Sequence, residues 1–297
     1  MSETWIEHKE RSNPLALKLI CMFAQNMPRR ITRLWLWPIT LYFFMFAPKA
    51  RRASRKYLSR LPGNKTGLRD EFRHFHSFAS VILDRVYFLT GKLDKYTIDI
   101  VTDRDIDAML PRQQGAILLG AHMGSFEVMR CLAKRHAAIK LNIMMYQDHN
   151  AMITRVLDQL NPQIANSIIN LADDDALLKA KEALEQGISI GMLGDRVLPN
   201  EKSVTCKLLG GEINLPAGPL NLAMIVGVPV IVFFGMYTGG NQYRMFLHDL
   251  YAGQIKPRSE RPAVIAELMQ TYAHMIEQKI LAYPYNWFNF YDYWGRA

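Results

Sequence analysis

The chain has 297 residues, of which 49% are hydrophobic and 21% are charged, a composition that excludes intrinsic disorder and predicts a packed core. Its formal net charge is +9, and the positive excess lies in residues 1–69, which contain 14 Lys and Arg against three Glu. Such an asymmetry indicates an anionic partner surface, either nucleic acid or a membrane.

The first predicted element is the uncharged run 34–47, in which six of 14 residues are aromatic. This run is shorter than the about 20 apolar residues of a membrane span. Basic clusters flank it on both sides, and they disfavour a single crossing because both ends then prefer the cytoplasmic side. We therefore expect a helix or a re-entrant hairpin that lies in the headgroup region of a membrane.

This segment allows three other interpretations. An aromatic core helix is the main alternative. Nucleic acid is disfavoured because the aromatic residues form one block and do not alternate with the basic residues. A secretory signal is disfavoured because the first 30 residues are polar and charged, and three scattered cysteines predict a reducing compartment. The sequence thus predicts a cytoplasmic protein bound to the inner face of a membrane.

A loop at 61–67 leads to an amphipathic helix over 70–91, in which apolar residues recur every three or four positions. We expect residues 1–91 to form a helical, membrane-associating segment. Residues 92–297 are expected to form a separate α/β domain, because the pattern changes after this helix.

From residue 96 onward, short apolar strands alternate with amphipathic helices. Strands are predicted at 96–101, 115–121, 140–146, 167–171, 188–193, 228–234 and 242–250, and a hairpin over 204–215 is predicted to turn at 210–211. Helices are predicted at 103–110, 126–136, 151–160, 174–186 with Asp173 as N-cap, 219–226 and 262–282. This alternation indicates an α/β fold with a mixed, mostly parallel sheet flanked by helices.

The stretch GAILLGAHMGSFEVMR places two polar residues where a strand ends and a helix begins. Ligands gather at such strand ends in open α/β sheets. If Gly124 is the N-cap, Glu127 lies in the first helical turn, and its side chain can converge with that of His122. A carboxylate on one ring nitrogen leaves the other nitrogen free to accept a proton, which describes a general base with its orienting acid.

No enzyme nucleophile accompanies this pair. Ser125 is close, but the sequence lacks the G-x-S-x-G elbow of esterases, so His122 would activate a substrate hydroxyl directly. Spacing alone favours a different explanation, a core histidine at a strand end beside an unrelated helix-start glutamate. A metal site at His74 and His76 is disfavoured, because residues two apart diverge on a helix.

Four ordered stretches carry a family resemblance: A-H-M-G-S-F-E, G-M-L-G-D-R at 191–196, L-L-G-G-E-I-N-L-P-A-G-P-L-N-L-A at 208–223, and Y-P-Y-N-W-F at 283–288. They resemble the motifs of the bacterial lipid A late-acyltransferase (lauroyl/myristoyl) family, within the glycerolipid acyltransferase superfamily. The first resembles the H-x4-D/E motif of that superfamily. Together with the basic, hydrophobic N-terminus, they cover most of the chain.

The resemblance implies acyl transfer from an acyl carrier protein thioester to a hydroxyl of a membrane lipid at the cytoplasmic face of the cell inner membrane. His122 would be the general base and Glu127 its orienting acid. Arg196 would stabilise the oxyanion or bind an acceptor phosphate, unless it forms a salt bridge with Asp195; Arg155 could bind the phosphate instead. Asp195 and Gly218 belong to the expected substrate site, and no metal or nucleotide cofactor is implied.

Two departures bear on the acceptor. The closing motif continues as N-F-Y-D-Y-W where the lipid A enzymes usually have basic residues, and G-D-R replaces their common D-Q pair. A pigment-lipid (aryl polyene type) acceptor is therefore an open alternative to a lipid A precursor. A non-catalytic lipid-binding protein, and an esterase or thioesterase in which His122 activates water, are the alternatives from other functional classes.

Overall fold

The protein is described from a computed structural model, which covers residues 27, 29–63, 66–110, 114–129, 140–146, 167–198 and 201–295. The helices are α1 (Arg29–Phe46), α2 (Pro48–Leu58), α3 (Leu68–Leu89), α4 (Ile106–Met109), α5 (Ala176–Glu185), α6 (Gly218–Val226) and α7 (Arg261–Ala282), with a 3-10 turn at Leu93–Lys95. The predicted helix at 151–160, and most of that at 126–136, lie outside the described residues.

The strands are β1 (Thr97–Thr102), β2 (Ile117–Gly120), β3 (Lys140–Met145), β4 (Ile168–Asn170), β5 (Ile188–Leu193), β6 (Ser203–Leu208), β7 (Gly211–Pro216), β8 (Val230–Gly239) and β9 (Gln242–Tyr251). Seven of them form one sheet in the order β1-β9-β8-β2-β5-β3-β4. Its only antiparallel pairing among the described strands is β8 with β9. The predicted fold class, a mixed and mostly parallel α/β sheet, is confirmed.

Two hydrophobic cores lie on the two faces of this sheet. Ile117 and Leu119 of β2 belong to one core, whereas Leu118 belongs to the other, because successive side chains of a strand point to opposite faces. Both faces of β2 are therefore buried, which is why its sequence is continuously apolar and does not alternate.

Most predicted elements have the expected type, with shifted ends. Strand β8 extends to Gly239, five residues beyond its predicted end, because it pairs with β9 along this length. Strands β6 and β7 form the predicted hairpin. The predicted cap of α5 was wrong: the residue at the N-cap is Asp175, while Asp173 forms an ion pair with Lys179.

Helix α1 contains the aromatic run and is one continuous helix, although Pro38 lies inside it. Thr32, Leu36 and Thr40 form its buried face, at the four-residue spacing of one helix side. Its other side exposes large apolar residues, which are Leu34, Trp35, Trp37, Leu41, Tyr42, Phe43, Met45 and Phe46. In the described part of the chain, none of the helices combines the length and the apolar character that a membrane crossing requires.

Helix α3 packs against α1 and α2 and buries an unusual number of polar side chains. Glu71 forms ion pairs with Arg51 and Arg55 of α2. His74 hydrogen-bonds to Ser54 through Nδ1 and to the Trp287 carbonyl through Nε2, both at 2.8 Å. Glu71 and His74 thus both have partners, as burial requires.

Asp84 of α3 forms a polar cluster that joins α1 to strand β9 and to the residue just before β1. Its carboxylate accepts hydrogen bonds from Arg29 at the start of α1 and from the hydroxyls of Tyr96 and Tyr243. Arg29 also donates to the carbonyl of Gly240. We call Arg29, Asp84, Tyr96 and Tyr243 the Asp84 cluster.

Candidate active site

The site lies at the carboxyl ends of β2 and β5, which are neighbouring parallel strands. Gly120 pairs with Leu193 in the sheet register, and both strands end at this pair. His122 and Asp195 each follow by two residues. Parallel strands present their carboxyl ends at the same edge, so the sheet brings the two side chains together.

His122 and Asp195 make two contacts. The Nδ1 atom of the imidazole lies 2.6 Å from Oδ1 of the carboxylate, and the backbone N–H of His122 donates to Oδ2 at 3.0 Å. Asp195 is fully buried, whereas 29% of the His122 side chain is exposed. The pair therefore has a buried acid and an accessible imidazole.

The same carboxylate is surrounded by residues 286–293, which we call the carboxyl-terminal segment. Asn289 donates from Nδ2 to Oδ2 of Asp195 at 2.9 Å, and the indole N–H of Trp287 donates to the same oxygen at 3.3 Å. The Tyr293 hydroxyl donates to the backbone carbonyl of Asp195. With the His122 backbone N–H, three donors converge on Oδ2, which stabilises the charged form of the acid.

Arg196, next in the chain, is bound by the same segment. Its Nε donates to Oδ1 of Asn289 at 2.9 Å, and its Nη2 donates to the carbonyl of Phe288 at 3.2 Å. The guanidinium also lies over the ring of Tyr291, 5.6 Å from its centroid. Asn289 thus bridges Asp195 and Arg196 with the two ends of one amide.

The charges of these groups follow from the contacts. His122, Arg196 and the Asn289 amide lower the pKa of Asp195 despite the opposing effect of its burial, so the acid is ionised at neutral pH. Burial, followed by the positive charge of Arg196, lowers the pKa of His122 below 6.5, although Asp195 acts in the other direction. The imidazole is therefore neutral at neutral pH, with its proton on Nδ1 and an unprotonated Nε2.

The structure places Asp195, and not the predicted Glu127, against Nδ1 of His122, while the catalytic role of either acid stays a prediction. The Nδ1 atom bonds to Asp195, and Oε1 of Glu127 accepts a hydrogen bond from Arg85 of α3 at 3.1 Å. Glu127 lies in a turn just before Val128, the first helical residue here. The chain turns at Gly124, whose φ is +56° and where an added Cβ would lie 2.0 Å from the Gly235 carbonyl.

Of the two remaining predicted site residues, Gly218 is described by the structure and Arg155 is not. Gly218 is exposed at the first position of α6, and an added Cβ would lie 3.4 Å from Oε1 of Glu201. Arg155 lies outside the described residues. Within the residues that are described, no group of three or more His, Cys, Asp and Glu side chains is arranged to bind a metal ion.

Sequence reasoning missed Asn289 and Trp287 as partners of Asp195. The two residues are 94 and 92 positions from Asp195 in the chain, so no local spacing could have paired them. A sequence signal was present, since two asparagines stand among the aromatic residues of the closing stretch, and the structure shows that both are buried. Buried amides among aromatic rings indicate specific polar partners.

Two comparisons with known proteins bear on this site. The family model for bacterial lipid A biosynthesis acyltransferases matches residues 17–296. The matched stretch includes His122, Glu127, Asp195, Arg196 and the carboxyl-terminal segment. The match confirms the family resemblance of the sequence motifs. No curated protein gives a match.

Proposed function

Since the chain belongs to the bacterial lipid A biosynthesis acyltransferase family and is an acyltransferase, we propose that it transfers a fatty acyl group from an acyl carrier protein thioester to a hydroxyl of a membrane lipid. A lipid A precursor is the proposed acceptor. The observation that carries the mechanism is the 2.6 Å contact between His122 Nδ1 and buried Asp195.

In the proposed reaction, the unprotonated Nε2 of His122 accepts the proton of the acceptor hydroxyl. The oxygen then attacks the thioester carbonyl, and the tetrahedral intermediate collapses with cleavage of the C–S bond. The departing sulfur takes the proton back from His122, so the histidine returns to its starting state. The products are the acylated lipid and the free thiol of the carrier protein.

Asp195 is the proposed orienting acid. It keeps the proton of the neutral ring on Nδ1 and stabilises the imidazolium that forms during the reaction. The donors on Oδ2 leave Oδ1 to the histidine. Glu127, the acid predicted from the sequence, contacts Arg85, and we propose that it acts on the acceptor side of the site.

Arg196 is the proposed electrostatic partner of the developing oxyanion. Its positive charge lowers the pKa of His122, which supports a role close to the reacting group. Asn289 and Phe288 fix the guanidinium before substrate binds, so stabilisation requires little reorganisation. A substrate-wall role for Gly218 and a phosphate role for Arg155 stay predictions.

The proposed chemistry needs no metal or nucleotide cofactor, because the thioester already carries an activated acyl group. The proposed partners are acyl carrier protein, the lipid acceptor and the anionic cytoplasmic face of the inner membrane. Support for the membrane comes from α1, whose exposed apolar side lies beside exposed Arg30, Lys49 and Arg52.

The decisive experiment incubates the purified protein with an acyl carrier protein thioester and extracted membrane lipids, followed by mass spectrometry. We expect one lipid to gain the mass of the acyl group, and His122→Ala to abolish the gain while the melting temperature is kept. Release of free fatty acid with every acceptor would instead indicate a hydrolase. Unchanged product from folded His122→Ala protein would refute the mechanism.

The membrane proposal has its own test. Trp35→Glu places a charge on the exposed side of α1, and it should reduce co-sedimentation with vesicles that contain anionic lipid. Leu177→Glu is the matched control, because Leu177 is equally exposed on α5 (64%, against 59% for Trp35). Equal sedimentation of both variants and the unmodified protein would contradict the assignment of α1.

A further inference from the structure

Arg85 and Glu127 form an ion pair beside the proposed active site. Nε of Arg85 donates to Oε1 of Glu127 at 3.1 Å. Only 2% of the Glu127 side chain is exposed, whereas 32% of the Arg85 side chain is. A buried carboxylate is stable when a cation compensates it, so Glu127 fixes Arg85 at the border between core and solvent.

Most of the hydrogen-bonding capacity of Arg85 is unused by the described residues. A guanidinium has five N–H donors, and the one described hydrogen bond of Arg85 uses Nε. Within the described part of the chain, Nη1 and Nη2 donate to no protein atom. A third of the side chain is open to solvent, and these two nitrogens are available to a ligand.

Other arginines around the site differ in this respect. Arg29 is bound by Asp84, Tyr96 and the Gly240 carbonyl. Arg196 is bound through both Nε and Nη2 by the carboxyl-terminal segment. Arg85 thus combines a fixed Nε with unused terminal donors, an arrangement suited to bidentate contact with an anion.

Two connections place Arg85 near the reacting group. Glu127 follows His122 by five residues, which limits the separation of their Cα atoms to about 18 Å. Phe78, two helical turns before Arg85 on α3, has its ring 5.2 Å from that of Phe288, and the backbone N–H of Phe288 donates to the His122 carbonyl. Arg85 is therefore connected to the surroundings of His122 through Glu127 and through Phe78.

We propose that Arg85 binds a phosphate group of the acceptor lipid and that Glu127 fixes Arg85 for this contact. The inference rests on the proposed function, because it assigns the acceptor of the same site. Phosphate matches the fork of Nη1 and Nη2 in geometry and charge. Prior fixation through Nε reduces the ordering cost of binding. Arg85 is a binding residue, and Glu127 is a positioning residue that acts through it.

The test compares a phosphorylated glycolipid with the same glycolipid after phosphatase treatment, both in detergent micelles. Equilibrium binding is measured for the unmodified protein and for Arg85→Lys, which keeps a positive charge against Glu127 but lacks the guanidinium fork. We expect the unmodified protein to prefer the phosphorylated form by at least 10-fold, and Arg85→Lys to lose most of this preference. Affinity for the dephosphorylated form should be unchanged.

Arg69→Lys is the matched control, since Arg69 is exposed at the other end of α3, and its preference should equal that of the unmodified protein. Melting temperatures verify that each variant is folded. A full preference in Arg85→Lys, or none in the unmodified protein, would overturn the inference. Because binding is read without turnover, this result is independent of acyl transfer, which is measured separately with the thioester and tests the proposed function.

Discussion

Asp195 and Glu127 are two buried carboxylates near one edge of the sheet, and their surroundings differ. Asp195 is contacted by the imidazole of His122 and by three donors on its second oxygen. Glu127 contacts a partly exposed arginine from another helix. The first environment holds the Asp195 carboxylate against the imidazole of His122. The second holds the Arg85 guanidinium at the protein surface.

This difference shows that motif spacing alone does not identify which carboxylate contacts a histidine. Glu127 is near His122 in sequence, whereas Asp195 reaches it through the pairing of β2 with β5. The position of a residue in the sheet register therefore decides its contacts more directly than its distance along the chain.

The largest expected effect is that of Asp195→Asn. The amide can donate to Nδ1 and stabilise the wrong tautomer, so kcat should fall about 10²–10⁴-fold with little change in KM. Because Asp195 raises the pKa of His122, its removal should also move the acid limb of the pH–rate profile to lower pH. Steady-state kinetics between pH 4.5 and 8 measure both effects.

For the unmodified protein, the same profile should rise with pH and level off, because the unprotonated base is active. Its midpoint should lie below 6.5, since burial lowers the pKa of His122. A kcat of Asp195→Asn close to that of the unmodified protein would remove Asp195 from the mechanism.

Asn289→Ala should have the next largest effect. The change removes one donor from Asp195 and the acceptor of Arg196, and contacts with charged groups are typically worth about 1.5–3 kcal/mol. We expect kcat to fall about 10–100-fold. Turnover and melting temperature, measured on the same preparation, separate a positioning effect from general loss of stability.

Asn286→Ala is a matched control for this variant. Asn286 is equally buried, three residues earlier, but its amide bonds to the backbone of Tyr237. It should lower the melting temperature about as much and leave kcat nearly unchanged. Equal losses of kcat in Asn289→Ala and Asn286→Ala would indicate that Asn289 affects turnover only through the stability of the fold.

Glu127→Gln should change the acceptor dependence. Gln fixes Arg85 less firmly, so we expect KM for a phosphorylated acceptor to rise about 10-fold, the weight of one charge-assisted contact. Glu127 is not among the groups that shift the pKa of His122, so the acid limb should stay where the unmodified protein has it. An acid limb that moves as in Asp195→Asn would give Glu127 the role of an orienting acid.

The last prediction concerns stability and the buried His74, which contacts the segment around Asp195. His74 binds the Trp287 carbonyl, and burial lowers the pKa of His74 from 6.5 to about 4. The unfolded chain therefore gains a proton between these values while the folded protein stays neutral, so stability should be lost as the pH falls from 6.5 to 4. Between pH 7 and pH 4.5 the loss should be about 2 kcal/mol, measured by denaturant unfolding at both pH values. His74→Asn, which does not titrate, should show a smaller difference.

Much of the fold could be predicted from sequence because β2 and the first part of β8 are buried on both faces and read as continuous apolar runs. The position of His122 followed from the end of β2. The partner of His122 could not be predicted, since it depends on strand order, which local periodicity does not contain. The buried polar face of α3 was also missed, because Asp84 and His74 are stabilised by residues distant in sequence.

The Asp84 cluster has a consequence for how this enzyme would meet its acceptor. Arg29 ties the first turn of α1 to the sheet through Asp84, Tyr96 and Tyr243, so the exposed aromatic side of α1 has a set angle to the strand ends that carry His122. If that side rests on the bilayer, the strand ends keep one orientation toward it. The acceptor would then arrive by lateral diffusion within the bilayer, and the carrier-bound donor would arrive by diffusion through the aqueous phase.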